Sequence, residues 1–600
     1  MTTGVQSGIG HTDHALLVGL GMFGHQIGLF EALDKVWFPG RVYRRSPQRK
    51  LRELLAALAA GYRDLQAIDL APDALRADPL VIAVWDAAGF AHYTNVSRGI
   101  RRADTVTVSD LQTALEQVSA PFLARDLEEG LATGSPLRLE GDTTGLATTA
   151  HMPGVEPGLI EGRLQPGFQM ASVSLRTPLY RVMLGSAHFN GKTVSCQTLE
   201  ALIRLAERRV GRPRRRVELL YAQLDVLQQE ETRWRDKAQH AQARAVGYEE
   251  RAWELHFLLG RAEQEIAQLQ VQQGSGEVRP HSRLAQANRH RQVYQRWQAS
   301  ARRRQQQVLQ TAERYLRRVE AIQEKRGMLH ARVTRYQDEN HANAQPLEII
   351  FSLDGGFGTP QNVTVLTELG YDVATKAHGQ TATPHLKREV SPATVWERVN
   401  GITQAMESQR TRLGRCPYPV RLILTRQQRG SQVRYSTLVI SPAEVKWGCK
   451  PVQTRYRLGA AESVHFYNGR QDIEAGIKEF KGVFYVGHMR FFSAEAIQIQ
   501  EQLITFLPNF IRWAIRYYFR PNAIHLPDRA DHGLNQLKDA VRVAMHGQAD
   551  VHYGQAGCVL KFAPRGAFAG LVIDLRQPYV FQPMLPLFGT LSICDSISET

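Results

Sequence analysis

The sequence predicts a mixed α/β protein whose core is split by a long antiparallel coiled-coil hairpin and by a smaller β-rich insertion, behind a helical N-terminal segment. Three observations carry that expectation. A heptad of mostly apolar residues runs through 213–271 and resumes through 287–336 after one break. Strand-like stretches flank it on both sides, at 137–189 and 347–377, and helical periodicity returns after 469. The 600 residues would make about four domains in series, or fewer with long insertions. At 43% hydrophobic and 22% charged, the composition excludes wholesale disorder. Lys plus Arg number 74 against 58 Asp plus Glu, a net +16, which suits a polyanionic partner: nucleic acid or an acidic membrane face.

Residues 16–129 read as short apolar helices with breaks near Pro39, Pro72 and Pro121, a spacing compatible with a DNA-binding helix-turn-helix unit. Gly19-Leu-Gly21-Met-Phe-Gly24 has the form of a phosphate-cradling loop. The chain beyond it turns basic at 41–49, however, and no strand–helix series follows, so these glycines are expected in a turn or a helix contact. The polar first 13 residues do not read as a signal peptide. The apolar stretch 503–519 carries Pro508, Asn509, Arg512 and Arg516 and suits a core better than a bilayer. Five scattered cysteines, Cys196, Cys416, Cys449, Cys558 and Cys594, are expected as free thiols in a reducing cytoplasm, which argues against a disulfide scaffold or a structural zinc site.

Residues 137–142 alternate as a strand ending at a turn, and 168–175 and 180–189 complete an antiparallel meander. In the first arm of the heptad, Leu220, Leu227, Trp234, Ala241, Tyr248, Leu255, Ala262 and Leu269 share one position. Val217, Leu224, Glu231, Ala238, Ala245, Ala252, Leu259 and Ile266 share the other. Gly274-Ser-Gly276 and Pro280 supply a reversal, and Ala287, Tyr294, Ala301, Val308, Tyr315, Ile322, Leu329 and Tyr336 line the return arm. Each arm would be about 90 Å long. Arg204, Arg208, Arg209, Arg212, Arg214, Arg215 and Arg216 crowd the base of the hairpin, and Arg302, Arg303, Arg304, Arg314, Arg317 and Arg318 line the return arm. Such a face is either solvated or, at the base where acids are scarce, a seat for a DNA backbone.

Beyond the hairpin, 347–353 is an apolar strand running into Asp354-Gly-Gly-Phe-Gly358, followed by a helix at 362–369 and a strand at 372–377. Two paired strands are expected at 420–425 and 433–440, helices at 469–480 and 494–518, and short strands at 559–562 and 570–575. Three acids stand out by position: Asp142 and Asp354 at strand ends, and Glu474 within a helix. Carboxylates so placed can converge on two divalent metals, because hard Mg2+ takes oxygen ligands and an ion pair can serve both the attacking and the leaving oxygen. Taken singly, each has an ordinary reading: Asp142 and Asp354 as turn formers, Glu474 as the i,i+4 partner of Lys478. The surrounding stripe favours chemistry. Tyr467, Arg470, Glu474, Lys478 and Lys481 are spaced 3, 4, 4 and 3 apart, a poor apolar seam but a good surface for phosphates beside a metal ligand.

That spacing, Y-x2-R-x3-E-x6-K, resembles the signature of bacterial insertion-sequence DDE transposases, and all four positions match. Asp142 in Gly-Asp-Thr-Thr-Gly looks like the first acid of such enzymes, Asp354 in Leu-Asp-Gly-Gly-Phe like the second, and Glu474 like the third. The resemblance covers about 133–197, 346–380 and 456–520, and implies an RNase H-like core in three parts. The helical segment 1–132, a hairpin insertion at 198–345, a β-rich insertion at 381–455 and a tail at 521–600 would complete the chain.

The resemblance further implies two Mg2+ ions, with Mn2+ able to substitute, held by Asp142, Asp354 and Glu474 for DNA cleavage and strand transfer. Double-stranded DNA would be the partner, as terminal inverted repeats and target, with a homodimer forming on synapsis in a bacterial, nucleoid-associated setting. Tyr467, Arg470, Lys478 and Lys481 would meet the backbone of the transposon end, and Arg212, Arg214, Arg215 and Arg216 would add contacts. Two other readings stand beside it: a nuclease on the same fold without strand transfer, and a non-catalytic coiled-coil DNA-binding scaffold.

Overall fold

The computed structural model describes residues 8–579 apart from 41–45, 86–87, 161, 275–280, 380–381, 442–443, 448–449, 454–457, 489 and 555–556. The side chains of 273–274, 281–282, 444–447, 450–453 and 471–475 also lie outside the description. The chain forms two compact units: Met1–Arg214, Gln345–Lys446 and Pro451–Thr600 make one, and Arg215–Ala344 with Trp447–Lys450 makes the other.

The second unit is the expected helical hairpin. Helices Val217–Gly274 and His281–His341 pack along each other. The heptad holds: Leu220, Leu224, Ala238, Ala241, Ala245, Ala252, Leu255, Ala262, Ile266 and Leu269 are buried, facing Ala287, Ala301, Ile322, Leu329 and Tyr336. Ala312, Val319 and Val333 supply a second seam position on the return arm. Alanine at so many seam sites brings the helices close. Glu231 is a buried exception, accepting from Gln323 Nε2 at 2.8 Å and pairing with Arg326. Those two partners hold its carboxyl below the usual range. A polar group locked across a seam fixes the register of the two arms. Of the expected reversal, Gly274 closes the first helix, and 275–280 lie outside the described residues.

The first unit is mixed α/β. Its larger sheet runs in the order Glu156–Ile160, Arg163–Arg176, Leu137–Ala147, Ile349–Leu353, Asp372–Lys376, Gln432–Ile440, Arg421–Arg429, Thr403–Glu407, Glu397–Arg398, with Arg181–Asn190 also paired to Arg163–Arg176. The meander is antiparallel, whereas Leu137–Ala147, Ile349–Leu353 and Asp372–Lys376 are mutually parallel. The hairpin of Arg421–Arg429 and Gln432–Ile440 is continuous with this sheet, because Gln432–Ile440 pairs antiparallel with Asp372–Lys376.

The N-terminal helices belong to the same unit as this sheet. Strand Gly8–Thr12 pairs with Ala549–Gly554 in a second sheet, so the two ends of the described chain meet. The three glycines at 19–24 lie inside the buried helix Ala15–Gln26 as contact points. A Cβ at Gly19 would fall 2.9 Å from Phe519, and one at Gly21 2.8 Å from Trp85 Nε1. Pro121 does not break its helix. It sits within Thr105–Ala132, where Phe122 stacks on Trp513 with ring centroids 4.9 Å apart and offsets the missing backbone bond.

Helix Ala494–Ala514 likewise runs through Pro508 and is buried along most of its length. Asn509 spends both ends of its amide on Met183, accepting from its N–H at 2.9 Å and donating to its C=O at 2.7 Å. No described helix is long and apolar enough to cross a membrane.

Candidate active site

Strand Leu137–Ala147 pairs with its two neighbours in opposite senses. It is antiparallel to Arg163–Arg176 along its whole length, but parallel to Ile349–Leu353 only as far as the pair Gly141 and Leu353. One residue further, each chain carries an aspartate, Asp142 and Asp354. The strand does not end at Asp142, as its sequence suggested; Asp142 still pairs opposite Ser172, and only the parallel ladder stops there. The strands that follow Leu137–Ala147 in sequence lie to one side of it, and Ile349–Leu353 and Asp372–Lys376 lie to the other. The two aspartates therefore sit where the strand order reverses, the place where open α/β sheets form a crevice beyond their carboxyl ends.

Glycines make the room. A Cβ at Gly141 would fall 2.7 Å from Leu353 Cδ2, and one at Gly358 only 1.8 Å from the carbonyl oxygen of Lys376. Asp354 Oδ1 accepts the Gly356 N–H at 2.8 Å, and Thr375 Oγ1 donates to the Asp354 carbonyl at 2.8 Å. The segment 354–358 is thus both a turn and the device that sets the Asp354 carboxylate beyond its strand.

Asp142 is 8% exposed, accepts from the Thr143 N–H at 2.8 Å, and has Arg470 Nη1 3.4 Å from Oδ2. Burial and then the negative charge of Asp354 push its carboxyl up to about 6, against the pull of Arg470. Two residues earlier on the same face, Glu140 is fully buried and pairs with Arg138 at 3.1 Å and Arg176 at 3.9 Å. Glu140 was not singled out from the sequence, although its i,i+2 relation to Asp142 was the signal. Arg138 also lies over the Phe466 ring at 4.5 Å, and Arg176 donates to the Gly469 carbonyl at 2.6 Å.

The signature segment is two helices, Ala460–Asn468 and Gln471–Gly482, joined through Gly469 and Arg470 rather than one uninterrupted stripe. Tyr467 departs from its expected role on the DNA-gripping face. It is buried among Ile350, Ala374, Ala460 and Val464, and its hydroxyl donates to the Leu353 carbonyl at 3.2 Å, one residue before Asp354. Burial pushes its phenol up to about 12.

Arg470 reaches Asp142, and Glu474 follows one turn later on a helix that packs against the Asp142 strand. The Glu474 side chain lies outside the described residues. Lys478 is exposed and Lys481 half-buried. The helix is fixed near its middle, where a Cβ at Gly476 would fall 1.8 Å from Arg181 Nη2, and Glu479 pairs with Arg181 at 3.6 Å and Arg512 at 3.0 Å.

The arginines before the hairpin divide. Arg204 and Arg214 are exposed, while Arg212 and Arg216 are half-buried. Arg208 pairs with Glu116 at 2.5 Å, and Arg209 donates to the Glu116 carbonyl at 3.1 Å. Arg215 departs from the expected DNA contact. It is buried, with Nε 2.6 Å from Glu339 and its N–H bonded to Asn340, so it ties the start of one hairpin helix to the end of the other.

No protein-family model matches the chain, and no curated protein matches it.

Proposed function

We propose that the chain is a Mg2+-dependent DNA transposase with Asp142, Asp354 and Glu474 as its acids on an RNase H-like core. The observation that carries this reading is the pair of aspartates, distant in sequence, placed side by side where the strand order reverses. The matched signature adds the third acid, on a helix that packs against the Asp142 strand.

The donor chemistry fits a hard divalent ion. A buried carboxylate and a half-buried one share the place with one guanidinium, and the raised Asp142 carboxyl reflects burial first and the charge of Asp354 second, both of which a cation would offset. Two Mg2+ ions held by these three acids would supply polarisation of an attacking oxygen and stabilisation of a leaving one. Arg470 orients Asp142. Tyr467, through the Leu353 carbonyl, fixes the backbone from which Asp354 projects. Exposed Lys478, with Lys481, Arg214 and the half-buried Arg212 and Arg216, would meet a DNA backbone.

Asp354→Asn and Glu474→Gln should abolish Mg2+-dependent cleavage of a transposon end while leaving end binding largely intact. Retained cleavage in either variant sinks the assignment. Pre-cut ends incubated with a target plasmid should give joined product, and cutting without joining would leave a nuclease on the same site.

A further inference from the structure

A second cluster lies outside these carboxylates, where the start of the chain meets its C-terminal part. His14 precedes helix Ala15–Gln26, Asp73 follows helix Ala67–Leu70, and His546 precedes strand Ala549–Gly554. One ligand atom from each lies within 4.8 Å of the others, the one such group among the described residues.

The hydrogen-bond partners fix which ring nitrogens face inward. His546 Nε2 is 2.7 Å from the carbonyl oxygen of Ala60, which can only accept, so the ring proton belongs there and Nδ1 faces Asp73 Oδ2 at 2.5 Å. His14 Nδ1 is 3.2 Å from Asp78 Oδ2, an oxygen that Thr12 Oγ1 also meets at 2.5 Å, which leaves Nε2 facing Asp73 Oδ2 at 3.5 Å. The Tyr62 hydroxyl gives its hydrogen to the Asp73 carbonyl at 2.8 Å and presents its oxygen 3.4 Å from His14 Nε2. Two imidazole lone pairs, a carboxylate oxygen and a phenol oxygen thus point at one place, an arrangement that requires positive charge at its centre.

We infer that His14, Asp73 and His546 bind one Zn2+ ion. Two imidazoles and a carboxylate are a borderline donor set that suits zinc better than Mg2+. Zn–N and Zn–O bonds of about 2.0–2.2 Å put tetrahedral ligands roughly 3.4 Å apart. Of the three separations, Asp73–His14 already has about that value at 3.5 Å, a small swing of the Asp73 carboxylate opens Asp73–His546, and the two imidazole nitrogens lie within 4.8 Å of each other. Each histidine has its outer N–H held, one by a carboxylate and one by a backbone carbonyl, as metal-bound imidazoles do. The site uses no cysteine. Its ligands come from three distant parts of the chain, and an ion there would pin Gly8–Thr12 onto Ala549–Gly554 beside the backbone ladder.

The test uses the full chain, stripped with chelator, desalted and titrated with zinc chloride in excess Mg2+. One equivalent should bind and raise the melting temperature by several degrees, and Co2+ in its place should give the visible absorption of a four-coordinate site. Asp73→Asn and His546→Gln should weaken zinc binding at least 100-fold. Asp78→Asn should weaken it about 10- to 100-fold through the orientation of His14. Asp142→Asn should still take up one equivalent, which separates this site from the carboxylates above. Wild-type protein that binds well under one equivalent, or whose melting ignores zinc, overturns the proposal and leaves two imidazoles hydrogen-bonded to Asp73. Variants that bind zinc as tightly as the wild type overturn it equally, and circular dichroism identifies any variant that fails to fold, in which case the wild-type titration decides.

Discussion

Replacing Asp142 by asparagine keeps the side-chain shape and the acceptor for the Thr143 N–H, but removes a charge that burial and Asp354 disfavour. An aspartate moved from 3.8 to about 6 carries about 3 kcal/mol of unfavourable ionisation at neutral pH, at about 1.4 kcal/mol per pH unit. The sign follows from the direction. Well below pH 3.8 the carboxyl is protonated whether the chain is folded or not, and the stability this gives the folded state is lost between 3.8 and about 6. As pH rises through about 6 the folded protein must ionise it too, and the loss is complete. Without metal, Asp142→Asn should therefore melt a few degrees above the wild type at pH 8 in EDTA, by the equivalent of about 1–3 kcal/mol, and the gap should close towards pH 4. Mg2+ should raise the melting temperature of the wild type and not of the variant. Thermal melts across pH 4–8, with and without Mg2+, measure all of this. A variant no more stable than the wild type at pH 8 in EDTA, or a gap independent of pH, would refute the account of Asp142 as a strained carboxylate.

Tyr467→Phe should cost roughly 1 kcal/mol by removing the hydroxyl's hydrogen bond to the Leu353 carbonyl, while end binding stays unchanged. A loss of DNA affinity with unaltered melting would instead return the hydroxyl to the DNA-gripping face. Asn509→Leu should lower stability by roughly 2–4 kcal/mol, because it strands both the N–H and the C=O of buried Met183, and an unchanged melting curve would contradict that pairing. Joining 214 to 345 through a short Gly/Ser linker should leave the first unit folded and still pH-responsive, since the Leu347 N–H already sits 3.1 Å from the Arg212 carbonyl. Aggregation of that shortened chain would show that the hairpin is needed for folding.

What could be read from sequence followed from periodicity. The heptad of 217–336, the meander strands and the strand–helix–strand of 349–376 each have a repeat that their own neighbours enforce, and they stand where expected. Long-range pairing was hidden. Nothing in 433–440 announces that it will extend the sheet past Asp372–Lys376, and nothing in 8–12 announces a partner beyond 549. Pro121 misled where Pro508 did not: the helix through Pro508 stands where expected, but Pro121 was read as a break, and a helix buried by distant partners tolerates a lost backbone bond that an isolated one would not. Within the site, Asp142 and Asp354 were legible from position, and the parallel ladder ends one residue before each; Arg470 was singled out for a DNA backbone and instead reaches Asp142. Tyr467 and Arg215 kept their identities but not their expected roles. Burial decides whether a polar side chain meets a ligand or its own fold, and burial depends on partners that a local pattern does not contain.

The insertion between the two aspartates is tolerated for the same reason that they meet. Their positions are set by backbone hydrogen bonds of one sheet, with Gly141 opposite Leu353 in a parallel ladder that ends one residue before each carboxylate. A ladder is indifferent to how much chain connects its strands, provided the ends of the insertion return to one place. An antiparallel coiled coil does that, and the contact from Leu347 to Arg212 marks where the path closes. Loop-closure entropy grows only as the logarithm of length, and a rigid hairpin adds less still, so a long helical insertion need cost the sheet little. Placing the acids is expensive in another term. The sheet and its covering helices hold Asp142 where its charge is disfavoured, and Arg470 relieves that only in part. A fold selected for stability alone would put asparagine or a small apolar residue at 142. A charge kept there at the junction of the ladder, beside a second carboxylate, is what the proposed cation site would require.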